Sequence, residues 1–157
     1  MDDTTSQKKI QFMKLLINNP RIVELIDNNN IETPDDLINQ NIFPRLKVDF
    51  TAEDASTYIG IKIDYPNITS NDVFKNCIVT FMIISHVGQI KTNTGDSRTD
   101  LLAEEITKMF NFNYNLGFTL KLIKDVENPF DENHYYRALS FKTIDYNSLE
   151  NKINNGV

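Results

Sequence analysis

The stretch from Cys77 to Phe110, CIVTFMIISHVGQIKTNTGDSRTDLLAEEITKMF, constrains this chain more than any other. Between Cys77 and Ser85 apolar side chains occupy both alternate sets of positions. Cys77, Val79, Phe81 and Ile83 form one set and Ile78, Met82 and Ile84 the other, interrupted only by Thr80. A strand that hides both faces belongs in the middle of a sheet. From Arg98 to Phe110 the period changes. Leu102, Ile106, Met109 and Phe110 fall on one helical stripe, and Arg98, Asp100, Glu104, Glu105 and Lys108 are assigned to the other side. Between strand and helix, Gly95 supplies a bend, Asp96 or Ser97 an N-cap, and Asp100 a negative charge near the positive end of the helix dipole. The stretch therefore reads as a central strand, an exposed loop and a helix folded back across the sheet.

A chain of 157 residues supports one domain with a substantial core and is too short for two of ordinary size. We expect a single domain over 1–157, comprising a helical section at 7–39, a sheet-plus-helix core at 42–146 and a polar tail at 147–157. The net charge of −6 disfavours a nucleic-acid reader that works by neutralising phosphates. No run is apolar enough to cross a bilayer, and MDDTTSQKK lacks the basic and apolar regions of a signal peptide, so a soluble, cytosolically made protein is expected. The single cysteine, Cys77, lies inside the apolar run and reads as a small buried hydrophobe.

In chain order, the first six residues are polar and expected to fray. A helical pattern begins at Gln7, with Ile10, Met13, Leu16 and Ile17 on one side. Asn18, Asn19 and Pro20 interrupt it, and a second short helix carries Ile22, Val23, Leu25 and Ile26. Thr33, Pro34, Asp35 and Asp36 start a brief third helical piece. The period then falls to two. Leu46, Val48 and Phe50, and then Ile59, Ile61, Ile63 and Tyr65, predict an antiparallel hairpin with a long tip. Beyond the main helix, Gly117 opens a run with Phe118, Leu120 and Leu122 alternating. A turn follows from Glu127 to Asn133, and Arg137, Leu139 and Phe141 alternate on a closing strand. The fold class is α+β: a mostly antiparallel sheet of about five strands, a helix packed on one face, and an N-terminal helical section.

Signs of catalysis are missing from the sequence. The isolated glycines match no phosphate loop, nucleophile elbow or dinucleotide fingerprint. His86 and His134 lack a second ligand at metal-binding spacing, and His86 reads as a rim histidine bonded to backbone. Asp49, Asp64, Asp96, Asp100 and Asp125 could serve a magnesium nuclease only as a cluster, and no strand carries the alternating acid-x-lysine pattern such an enzyme would use. No enzyme, cofactor or metal is expected. Lys8, Lys9 and Lys14 read as a solvated helix face, and most aromatic residues as core or core edge.

The polar loop, Arg98 and Asp100 at the helix start, the acidic helix ending in Phe110 and Asn111, and the strand bearing Tyr136, Arg137, Leu139 and Phe141 carry a resemblance. Over residues 42–146 the layout resembles the tail terminator and neck (head-tail joining) proteins of long-tailed bacteriophages. That resemblance implies a non-enzymatic virion protein forming a ring, most simply a hexamer, in the tail or neck and assembled in the host cytoplasm. Its partners would be further copies of itself, the tail-tube protein and a head-completion or connector protein, with DNA passing through the channel without specific binding. The candidate subunit or channel residues are His86, Gln89, Lys91, Asp96, Arg98, Asp100, Glu104 and Glu105, with a plain solvated surface as the alternative. Rival readings are a connector or stopper of the neck and, from another class, a small adaptor that binds a partner through a sheet edge.

Overall fold

The computed structural model describes residues 4–46, 55–66 and 77–144. Helix α1 spans Thr5–Ile17 and α2 spans Pro20–Ile26, followed by a 3-10 turn at Pro34–Leu37. Strands β1 (Ile42–Phe43), β2 (Thr57–Asp64) and β3 (Ile78–His86) precede α3 (Arg98–Phe110), and β4 (Thr119–Pro129) and β5 (His134–Ile144) close the chain. The five strands form one sheet in the order β1-β2-β3-β5-β4. All pairings are antiparallel except β1 with β2. The fold is α+β with a mostly antiparallel sheet, as the periodicities predict.

Each helix begins where local chemistry satisfies its free N–H groups. Thr4 accepts from the Gln7 amide at 3.2 Å while its own amide donates to the Gln7 side chain at 2.8 Å. This reciprocal capping box starts α1 ahead of Gln7, so the region expected to fray is ordered from Thr4 onward. Asn19 caps α2 by accepting from the amides of Arg21 and Ile22, and Pro20 occupies the first turn, where its missing donor costs nothing. In the 3-10 turn the Asp36 carboxylate accepts from the amides of Glu32 and Thr33, both at 2.9 Å. Gly95 and Gly117 hold φ of 90° and 77° at the turns leading into α3 and β4, a region where a Cβ is strained.

Strand β3 is the middle of the sheet. Val79, Phe81, Ile83 and Ser85 are buried under the helices; on the other face Ile84 is buried as well, whereas Ile78, Thr80 and Met82 are half-buried. The expectation that both faces are hidden holds at Ile84 and is corrected at Ile78, Thr80 and Met82, where the apolar run exceeds what covers it. On the outer face Thr80 and Ser140 share a hydroxyl hydrogen bond of 3.0 Å. One part of that face is covered. A Cβ on Gly60 would lie 2.8 Å from the Arg45 carbonyl oxygen and 3.2 Å from the Leu46 Cα, so the chain leaving β1 crosses β2 where no side chain stands.

The first arm and the tip of the predicted first hairpin fall largely outside the described residues. The edge strand is Ile42–Phe43, and it runs parallel to β2, with Ile42 opposite Ile59. Leu46 lies beyond it and outside any strand, and Val48, Phe50 and Asp49 fall outside the described residues. Strand β4 runs to Pro129, so the expected turn starts later, and a bulge interrupts its register between Leu122 and Lys124. Tyr146 and the tail at 147–157 likewise lie outside the described residues.

The N-terminal helices pack on the sheet. Phe12 of α1 sits edge-on to Phe81, Phe110 and Phe118, with ring centroids 5.5–5.6 Å away. Phe81 stacks on Phe110 at 4.9 Å and meets Phe141 edge-on. These contacts join α1, β3, α3 and β5 in a core that also takes in Leu16, Ile22, Leu37, Ile59 and Cys77. Cys77 is 2% exposed, and burial pushes its thiol up from the ordinary value, in keeping with a packing role.

Candidate functional site

One flank of α3 borders the β4–β5 pair, leaving a groove of about 480 Å³ lined by Ala103, Glu104, Leu122, Asp125 and Arg137, among others. Arg137 lies on the same face of β5 as Leu139 and Phe141, opposite the buried Ile83 of β3. It turns to the acids around it. Its Nε and Nη2 bind the two Asp125 oxygens at 2.8 and 3.0 Å, and Nη1 donates to Asp100 Oδ1 at 2.6 Å. Glu127 stands 3.8 Å from Nη1. The fork on Asp125 and the bond to Asp100 push the guanidinium above its already high ordinary value, against the opposing effect of burial, so it is a permanent cation. One cation thus ties the start of α3 to both strands of the terminal pair. Glu104 lines the groove and is exposed.

The other sequence-predicted site residues are dispersed among several jobs. Arg98 is the main correction. It is only 7% exposed and lies on the buried side of α3, not on the solvent side to which its charge assigns it. Its Nη1 donates to the Leu25 carbonyl at the end of α2, its Nε to the Gln89 carbonyl at 2.7 Å, and its Nη2 reaches Asp27 at 3.5 Å. Gln89 is drawn inward with it, its side-chain oxygen accepting from the Thr57 hydroxyl at 3.1 Å. Thr57 also bonds Ser85 at 2.9 Å. Glu105 accepts from the Asn19 side chain at 3.0 Å and so links α3 to the cap of α2, while Lys108 stands 3.8 Å from it. Lys91 and Asp96 are exposed on the loop, which closes on itself through a Lys91–Ser97 bridge and the Thr94–Asp96 bond of 2.8 Å.

The two histidines, distant in sequence, are neighbours. Antiparallel pairing places His86 opposite His134, with ring centroids 5.2 Å apart at 84°. His86 Nδ1 accepts from the Gly88 amide at 2.9 Å, the backbone bond expected of a rim histidine, which puts the proton of the neutral ring on Nε2. His134 is buried and its Nδ1 meets the Asp131 carboxylate at 3.0 Å. Burial pushes the Asp131 carboxyl up, but the Asn133 amide and His134 outweigh it and hold it below the ordinary range. Among the described residues no group of three or more His, Cys, Asp and Glu is arranged to hold a metal ion. No helix among them is long and apolar enough to cross a membrane.

The family profile YomW matches residues 11–143, from within α1 to the end of β5, and the chain belongs to that family. YomW is phage-derived, which makes this a phage-associated protein. No curated protein and no solved structure gives a significant match to the chain.

Proposed function

We propose that this chain is a structural, non-enzymatic virion protein of a tailed bacteriophage, a tail terminator that forms a ring, most simply a hexamer, at the end of the tail tube. Its role is to stop tube growth and to offer the surface on which the head docks, through a head-completion or connector protein. The observation that carries this reading is the arrangement around α3 in a phage-associated chain. An acidic amphipathic helix lies across a five-stranded sheet, preceded by an exposed loop and followed by a terminal strand pair. The net charge of −6 supports it, because a channel wall of that sign lets DNA slide without adhering.

The adaptor reading draws on one feature, that the eleven-residue β4 is an edge strand, a surface to which an extended peptide can add. That edge is blunted by Lys121, Lys124, Asp125, Glu127, Pro129 and the bulge, devices that oppose strand addition. The terminator reading is tested in a phage that carries this chain by disrupting its gene. Tails of irregular length, found apart from filled heads in electron micrographs, are the expected result. Normal virions would refute it.

A further inference from the structure

Charge is segregated across this molecule in a way that its total hides. The chain carries a net charge of −6, yet α1, TSQKKIQFMKLLI, contains three lysines and no acid. Along its outer side Ser6, Ile10 and Lys14, spaced four apart, are exposed, and Ile10 is 44% exposed despite being apolar. Beside Ile10 the helix borders Pro44 and the exposed Arg45. The outer side of α1 is thus a ridge with an apolar side chain and cations around it, bordering a hollow of about 550 Å³ that Pro44 and Arg45 also line. The α3 groove is its counterpart. Its lining includes Ala103 and Leu122, and the carboxylates Asp100, Glu104, Asp125 and the adjoining Glu127 outnumber the cations Lys108 and Arg137. Ile123, at the bulge of β4, adds another exposed apolar side chain near the groove, at 48%.

The two surfaces are different parts of the molecule, the outer side of α1 bordering Pro44 and Arg45 and the groove lying between α3 and the β4–β5 pair. We propose that the α3 groove receives the α1 ridge of a second copy of this chain, Ile10 entering between Ala103 and Leu122 while Lys14 and Arg45 approach Glu104 and the Asp100–Asp125 rim. Because the two surfaces differ, the contact is heterologous: each copy uses both, and repetition closes into a ring or continues as a filament. This rests on the ring reading above and specifies its subunit interface. Opposite charge selects the partner surface and speeds encounter, and the apolar knob supplies the desolvated centre.

Two charge reversals test it, both at exposed positions outside the core: Lys14→Glu on the ridge and Glu104→Lys on the groove. Masses are read by native mass spectrometry and sedimentation, with circular dichroism as the check on folding. The wild type should assemble. Each variant alone should fall to the 18.2 kDa monomer, and an equimolar mixture of the two should reassemble, because the reversed ridge of one meets the reversed groove of the other. If the wild type assembles and both variants assemble equally well, this interface is wrong while the ring reading stands. If the wild type stays monomeric, alone and with tail tubes, both fail.

Discussion

The guanidinium of Arg98, at the first turn of α3, donates to the backbone carbonyl of Leu25 at the end of α2. The cation satisfies a carbonyl left over at a helix C-terminus, where the dipole also favours positive charge. With its bond to the Gln89 carbonyl, it fixes α2, α3 and the loop after β3 relative to one another. Replacing it with methionine keeps most of the volume and strands both carbonyls. Arg98→Met should cost about 2–3 kcal/mol, read from urea unfolding. An unchanged midpoint would show that the contacts contribute nothing net.

Phe12 of α1 meets the rings of Phe81 on β3 and Phe110 on α3 together. Phe12→Ala should cost about 3–5 kcal/mol, and the helical and sheet signals should still melt in one transition, since α1 shares the sheet's core. Separate melting of the two would contradict that packing.

Gly60 is required by the chain that crosses it. The two nearest atoms a new methyl meets are backbone, Arg45 O at 2.8 Å and Leu46 Cα at 3.2 Å, so neither can simply swing aside. Gly60→Ala should destabilise by about 1–3 kcal/mol in the same unfolding assay. Ala at Gly88, which would meet only the His86 ring, is the milder control.

The Asp36 carboxyl is held below its ordinary value of 3.8, first by the Thr33 amide and then by the Glu32 amide. A carboxylate with a depressed folded pKa stabilises the fold at pH above its unfolded value and loses that contribution as pH falls through the folded one. Asp36→Asn should therefore lower the unfolding midpoint at pH 6, and the gap from wild type should shrink as pH drops below about 3.8. A gap independent of pH would assign the effect to geometry alone.

The parts of this fold that repeat were legible in the sequence. The apolar run of β3, the four-residue spacing of Leu102, Ile106 and Phe110, and the alternation of Leu139 and Phe141 each place a whole element because burial recurs at a fixed period. Arg98 was misassigned although the signal was present. It lies four residues before Leu102 and thus on the buried stripe, and its charge alone argued for the outside. A long charged side chain enters a core when carbonyls await it there, and no local pattern reports those carbonyls. Arg137, by contrast, is read on one set of positions with Leu139 and Phe141, and the structure adds the acids from α3 and β4 that balance it. The Thr4–Gln7 capping box was readable as a T-x-x-Q spacing. The parallel two-residue β1 was not, since two residues have no period. The His86–His134 pairing depends on a strand register that only the folded sheet defines.

By the proposed function, this phage-associated chain works by closing on its own copies at a tube end. The decisive experiment is electron microscopy of purified tail tubes mixed with the full chain. One ring of subunits should cap the growing end of each tube, with elongation stopped there. Tubes that lengthen unchanged, with the chain remaining in solution as monomers, would contradict it.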